Sequence, residues 1–257
     1  MLRNFLAAAV CLMLPLAAAA KEEVVLGLSQ NRVAITANFD GSEILVFGAV
    51  KREDAIPEGD PLEVVVTVSG PLGPITVRRK EKRFGIWVNT DSVTIDGAPS
   101  FYAVATSAPL RKTISLEEDI LNRVSIDNAI NSIGARFDKA DAQEFAKAVA
   151  RIRTDNGLYS LQEEAVKVSE QTLFRTSIAM PANLTEGDYE TRVLLTRGGK
   201  VISSFSTTID VRKVGLERWL FNLSRQQPLI YGLLSLAIAI ISGWAASAFF
   251  RFVRQRG

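Results

Sequence analysis

Hydrophobic and polar residues follow three rhythms along this chain, and each predicts a different element. From Gln227 to Phe250 (QPLIYGLLSLAIAIISGWAASAFF) no charge interrupts the sequence. Its apolar part from Leu229 onward would be roughly 33 Å long as a helix at about 1.5 Å per residue, enough to cross a hydrocarbon core of about 30 Å. A transmembrane helix is therefore predicted over 227–250, followed by a short basic tail, 251–257, with Arg251, Arg254 and Arg256. Just upstream the rhythm is helical: Leu216, Trp219, Leu220 and Leu223 recur with Arg218 and Arg225 on other faces. This predicts an amphipathic helix over 214–226 lying in the membrane interface.

A period of two dominates 21–112. Leu62, Val64, Val66 and Val68 alternate onto one face, and Val33–Ala37 and Glu43–Val50 flank an Asp40-Gly41 turn that reads as a hairpin. Ile75–Arg79, Phe84–Asn89 and Phe101–Thr106 read as further strands, separated by polar or Gly/Pro-containing links. Six or seven short strands at this spacing predict an immunoglobulin-like β-sandwich in architecture, without the Cys-Trp-Cys pattern of an antibody domain.

The period lengthens over 113–160. Ser115-Leu-Glu-Glu118 is a capping box, with Ile120, Leu121 and Val124 behind it; Asp138 can cap a second helix carrying Phe145, Val149 and Ile152, which stops at Asn156-Gly157. These helices read as a packing layer or as an insertion between β elements. Alternation returns over 161–213, in Leu173–Met180, Glu190–Thr196 and Val201–Val211, with Gly198-Gly199 as a two-residue turn. Leu184-x-x-Gly187-x-Tyr189 has the spacing of a tyrosine corner. Three or four strands are few for a closed sandwich, so this second β region either packs on the helices or completes a sheet of the first. The expected fold class is thus mainly β with a helical segment, α+β, ending in one transmembrane helix.

Residues 1–20 change the picture of where this domain resides. Arg3, the apolar Phe5–Leu16 and Ala18-x-Ala20 read as a secretory signal peptide, with an apolar core too short to be a second span. Cys11 lacks the small residue expected just before a lipidated cysteine. Basic residues are nearly balanced across the span, so export of the bulk sets the orientation: large domain periplasmic, C-terminus cytoplasmic.

Composition then removes chemistry. The chain has no histidine, and its one cysteine lies in the signal. Ser-His-Asp and Cys-His pairs, the usual zinc sets and disulfides are excluded from the mature domain, and no catalytic, cofactor or metal residue is expected. A net charge of +2 argues against nucleic acid. Two groups remain as candidates. Arg78, Arg79, Lys80, Lys82 and Arg83 form a basic run that fits a docking patch for anionic lipid or an acidic partner, or a solvated edge protected from aggregation. Ser235, Ala239, Gly243 and Ser247 place small side chains every four residues along the span, where a second helix could approach closely.

Several stretches carry a resemblance: Asn38-Phe-Asp-Gly-Ser-Glu-Ile-Leu-Val-Phe-Gly-Ala49, Gly85-Ile-Trp-Val-Asn89, Phe101-Tyr102, Asn156-Gly-Leu-Tyr159 and Gly187-Asp-Tyr189. Over nearly its whole length the chain resembles a transmembrane protein family of alphaproteobacteria. The resemblance implies a signal, an exported domain and one C-terminal span at a bacterial inner membrane, and a permease of the sulfite-exporter type as a transport partner. It carries over no catalytic residue. The expected function is a non-enzymatic, membrane-anchored periplasmic module that contacts the lipid bilayer and another inner-membrane protein or a second copy of itself. The competing expectations are a periplasmic anion- or glycan-binding module and an envelope enzyme working with carboxylates alone.

Overall fold

The computed structural model describes residues 22–36, 39–52, 55–57, 59–130 and 139–255, so the signal-peptide reading of 1–20 and the Asp138 cap lie outside the described residues. Two β-sheets carry the fold. Strands β1 (Glu23–Leu28), β3 (Gly41–Lys51), β10 (Leu173–Pro181) and β9 (Lys167–Ser169) form a four-stranded sheet in the order β1-β3-β10-β9. The other sheet has six strands in the order β2-β12-β11-β4-β7-β8: β2 (Arg32–Ile35), β12 (Lys200–Lys213), β11 (Gly187–Arg197), β4 (Glu63–Ser69), β7 (Tyr102–Thr106) and β8 (Tyr159–Gln162). The two β regions of the sequence are therefore interleaved. β10 pairs antiparallel with β3, β11 with β4, and β12 runs parallel to β2.

Alternation explains how the sheets meet. Ile44, Val46 and Val50 of the smaller sheet and Val64, Val66, Val193, Leu195 and Ile209 of the larger one join a single buried cluster. Each such side chain, fully buried, contributes about 1.5–3 kcal/mol relative to exposure. The opposite face of the six-stranded sheet is covered as well. Val65, Val104 and Leu194 point there into a second cluster with Ile114, Val124, Ile130, Phe145 and Val149. That is why β4 reads Val64-Val65-Val66 without a break: it is buried on both faces, a pattern that allows no polar alternation.

The covering layer consists of α1 (Leu110–Thr113), α2 (Leu116–Asn122), α3 (Ile126–Ile130) and α4 (Lys139–Asp155), with the long hairpin of β5 (Leu72–Arg83) and β6 (Ile86–Pro99) beside it. Ser115 caps α2 as the capping box predicts, its Oγ accepting the Glu118 N–H at 3.3 Å. Of the apolar positions predicted behind that cap, Val124 is buried just past the end of α2, but Ile120 and Leu121 are exposed; within α2 Asp119 is the buried residue, its carboxylate accepting the Ser125 N–H at 2.7 Å. On α4, Phe145 and Val149 are buried but Ile152 is exposed.

Two strand readings are also corrected. Asp40-Gly41 does not close a hairpin, because β2 and β3 belong to different sheets and the chain crosses between them there. Gly41 has φ +122°, and a Cβ on it would lie 2.9 Å from the Met180 carbonyl oxygen. Residues 90–99, read as part of a link, continue β6, which runs for fourteen residues. Elsewhere the turns are as read: Gly198 and Gly199 join β11 to β12 at φ +54° and +77°, values that suit a type I′ turn. Tyr189 is fully buried and its hydroxyl donates to the Thr185 carbonyl at 2.8 Å, a tyrosine corner in place.

The chain leaves β12 through Gly215 (φ +138°) into α5 (Leu216–Gln226), then into α6 (Pro228–Gln255). Proline suits the first position of a helix because its missing N–H would have no partner there, so Pro228 both ends α5 and starts α6.

Candidate interaction surfaces

Unlike its partner sheet, the four-stranded sheet has an outer face that carries no helical layer among the described residues. Its outward positions would ordinarily be polar, yet Val25, Leu45, Phe47 and Leu173 are all exposed there. Register brings them together: Phe47 stands between Gly27 on β1 and Arg175 on β10, and Ala49 between Val25 and Leu173. Gly27 lets the Phe47 ring lie down across β1, since a Cβ at Gly27 would be 2.7 Å from that ring. The result is an open trough of about 710 Å³ with an apolar floor. Lys167 and Arg175, neighbours across β9 and β10, stand on one side of it, and neither makes an ion pair among the described residues. Among the described residues, no acid lines it.

Sequence reading missed this surface. Its signal was present: Ile44-Leu45-Val46-Phe47 is apolar on both faces, a pattern that in β4 means a covering layer and in β3 meets none among the described residues.

The basic run lies on the free half of the β5–β6 hairpin. Near its root, Ile75, Val77, Val93 and Ile95 pack against the helices. Arg79 turns inward, within 2.6 Å of Glu144 on α4 and over the Phe145 ring at 5.2 Å. Arg78, Lys80, Lys82 and Arg83 remain exposed, so the five cations do not act as one group.

The third surface is the C-terminal helix. Pro228–Ala248 has a mean hydropathy of 2.0 and none of it is buried against the rest of the chain; among the described residues it is one helix long and apolar enough to cross a membrane. Leu233, Ile240 and Trp244 are each more than half exposed, which water would not tolerate along so long a stretch. Ser235, Ala239, Gly243 and Ser247 all lie on this helix; a step of four residues advances about 40° around the axis, so they form a slanted band rather than a straight line. Ser235 donates to the Tyr231 carbonyl at 2.9 Å, and a Cβ at Gly243 would meet open space.

The model of the family described as Putative transmembrane protein (Alph_Pro_TM) matches residues 23–252. This chain belongs to that family. The match begins at the first residue of β1 and ends just beyond the span, so the unit shared by Alph_Pro_TM proteins is the anchored domain as a whole. No curated protein matches the chain. With one apolar helix of spanning length among the described residues, this Alph_Pro_TM protein fits a single-pass membrane protein.

In α5 Trp219 and Phe221 are exposed, and the Arg225 guanidinium lies 5.7 Å from the Phe221 ring centre. An amphipathic helix joined directly to a span is expected to lie along the interface, where indole rings accumulate at head-group depth. With Trp87 and Trp244 replaced by phenylalanine, Trp219 emission is expected to be quenched by shallow lipid-borne quenchers; emission typical of free water would contradict this placement.

Proposed function

We propose that this Alph_Pro_TM protein is a non-enzymatic accessory of another inner-membrane protein, such as a permease. The span holds it in the bacterial inner membrane, the two-sheet domain stands in the periplasm, and the C-terminus is cytoplasmic. The observation that supports the reading is the contrast between the two sheets. One outer face packs Val65, Val104 and Leu194 against the chain's own helices, whereas the other leaves Val25, Phe47 and Leu173 exposed as a contiguous apolar surface beside Lys167 and Arg175. Contiguous exposed apolar surface marks binding sites for other molecules. The small-residue band of α6 offers the same partner, or a second copy, a close approach within lipid.

A second reading is favoured by the charges of the trough. Lys167 and Arg175 above an apolar floor suit an anion with an apolar body, as in a binding module, and the absence of any acid from the lining gives no support to an enzyme working with carboxylates.

One preparation tests both readings. The full-length protein, purified in mild detergent, is expected to carry a co-eluting inner-membrane protein. Gly243→Leu, which keeps the helix apolar but fills the band, should reduce that association several-fold at unchanged membrane level. Native mass spectrometry of the same eluate reads the second possibility: a small anion retained by the wild type and lost from Arg175→Glu would favour the binding module. An eluate with neither a protein partner nor a retained anion would refute the accessory reading.

A further inference from the structure

The free half of the β5–β6 arm carries a feature that the accessory reading leaves unused. Its tip is apolar and wholly outside the fold: Phe84 is fully exposed, and Ile86 and Trp87 are 65 % and 68 % exposed. The turn is tight, with Phe84 at φ +49° and Gly85 at +85°, so the chain puts an aromatic side chain at a position where asparagine, aspartate or glycine is the usual choice. Directly opposed residues share a face of a hairpin. Lys82 therefore stands beside Trp87 on one face, and Arg83 beside Ile86 on the other. Each face shows one large apolar side chain at the tip and one cation beside it, with Lys80 one step further back. Glu81 is the single acid between Lys80 and Trp87 and lies 3.4 Å from Arg83.

We infer that this tip docks on the anionic surface of the bilayer that holds α6, with Phe84, Ile86 and Trp87 entering the interface and Lys80, Lys82 and Arg83 at the depth of the lipid phosphates. An aromatic end backed by a collar of cations matches the bilayer's own order, apolar interior, aromatic-rich boundary, then anionic head groups. Charge complementarity selects that occupant over a second copy's trough, because Lys167 and Arg175 stand beside the trough and would repel the arm. The anchor removes the need for strong affinity. A tip tethered to a bilayer meets that bilayer at high effective concentration, so a weak contact is sufficient to orient the domain. The root of the arm is at the end of the domain nearest the anchor: Gly187, where β11 begins beside Val211 of β12, would place a Cβ 2.7 Å from Pro71. Arg79, held by Glu144 and Phe145, fixes the arm to α4 so that docking at the tip positions the whole domain.

The test uses the full-length chain in nanodiscs with Trp219 and Trp244 replaced by phenylalanine, leaving Trp87 as the sole tryptophan. One set of discs contains phosphatidylcholine alone and the other phosphatidylcholine mixed with phosphatidylglycerol. In the anionic discs Trp87 emission is expected to shift to the blue and to fall about two-fold with lipids brominated near the head group, and to recover at high salt as screening shortens to a few ångströms. Lys82→Glu with Arg83→Glu should abolish the quenching, as should Phe84→Ser with Ile86→Ser; all four side chains are exposed, so the fold is not at stake. Trp87 that stays open to aqueous quencher in the anionic discs overturns the inference and leaves an acidic protein as the occupant. Equal quenching in neutral and anionic discs also overturns it, because the cations would then select nothing.

Discussion

Glu22→Ala is expected to lower the stability of the two-sheet domain by about 3–5 kcal/mol, the cost of removing one member of a buried ion pair. For a domain of this size that corresponds to a fall in Tm of roughly 10 °C. The Glu22 side chain is 3 % exposed and sits between Arg52 and Arg197, themselves 8 % and 13 % exposed. Arg197 grips it with two nitrogens, at 2.9 and 3.2 Å, and Arg52 approaches from the other side. Arg197 also donates to the Asp60 carbonyl and to Gln171, and Arg52 to Thr172. The cluster thereby ties the start of β1, the chain around Asp60, the β9–β10 turn and the end of β11 together at one end of the two sheets. Removing the carboxylate leaves two guanidiniums buried against each other, whereas Glu22→Gln keeps the shape and one acceptor and should cost less. Thermal melts of the full-length protein in detergent, followed by circular dichroism, give the answer; unchanged melting in Glu22→Ala would show that water already screens the cluster.

The same residue predicts a pH dependence with a definite sign. Burial by itself raises the carboxyl's pKa, but the hydrogen bonds and charges of Arg197 and Arg52 outweigh it and hold Glu22 below its ordinary value of 4.5. A folded pKa below the unfolded one means that the contribution is fully present above about pH 4.5 and is lost as the pH falls through the folded value. The gap in stability between wild type and Glu22→Ala should accordingly close on acidification, and stay constant through neutral pH.

What sequence reading captured is what depends on neighbours along the chain. The span, the Ser115 cap, the Gly198-Gly199 turn and the Tyr189 corner each need only a few consecutive residues, and each is found where expected. What it missed depends on partners far away. Alternation says which face Ile44 or Val211 presents, but not that β3 lies between β1 and β10 or that β12 runs parallel to β2, because a period of two is satisfied by any partner strand. For the same reason Asp40-Gly41 looked like a hairpin turn. The interaction surfaces divide likewise. The basic run was legible as a run, but its separation into Arg79, held by Glu144, and the four exposed cations follows only from the packing of α4 against the arm. The trough was legible only as an apolar run on β3, because its shape arises from four strands, with Phe47 opposite Gly27 and Arg175 opposite Lys167.

The floor of that trough carries the second large effect. Phe174 of β10 is 2 % exposed, faces the core between the sheets, and lies directly across from Gly48 of β3. A Cβ at Gly48 would stand 2.5 Å from the Phe174 ring and 2.5 Å from the Val25 carbonyl oxygen, so the glycine is what admits the ring. Phe174→Ala is expected to cost about 3–5 kcal/mol, because rigid strands on both sides cannot collapse to fill the space. Gly48→Ala in the intact protein should cost about 1–3 kcal/mol through overpacking. Combined, the two should cost less than their sum by about 0.5–3 kcal/mol, since the new methyl group enters the volume the ring has left. The relief is partial, because the Val25 carbonyl remains in the way and only a shift of β1 removes it. Denaturant midpoints for the two single variants and the double variant measure that coupling; strictly additive costs would show that the backbone contact with β1, and not the Phe174 ring, is what requires glycine at position 48.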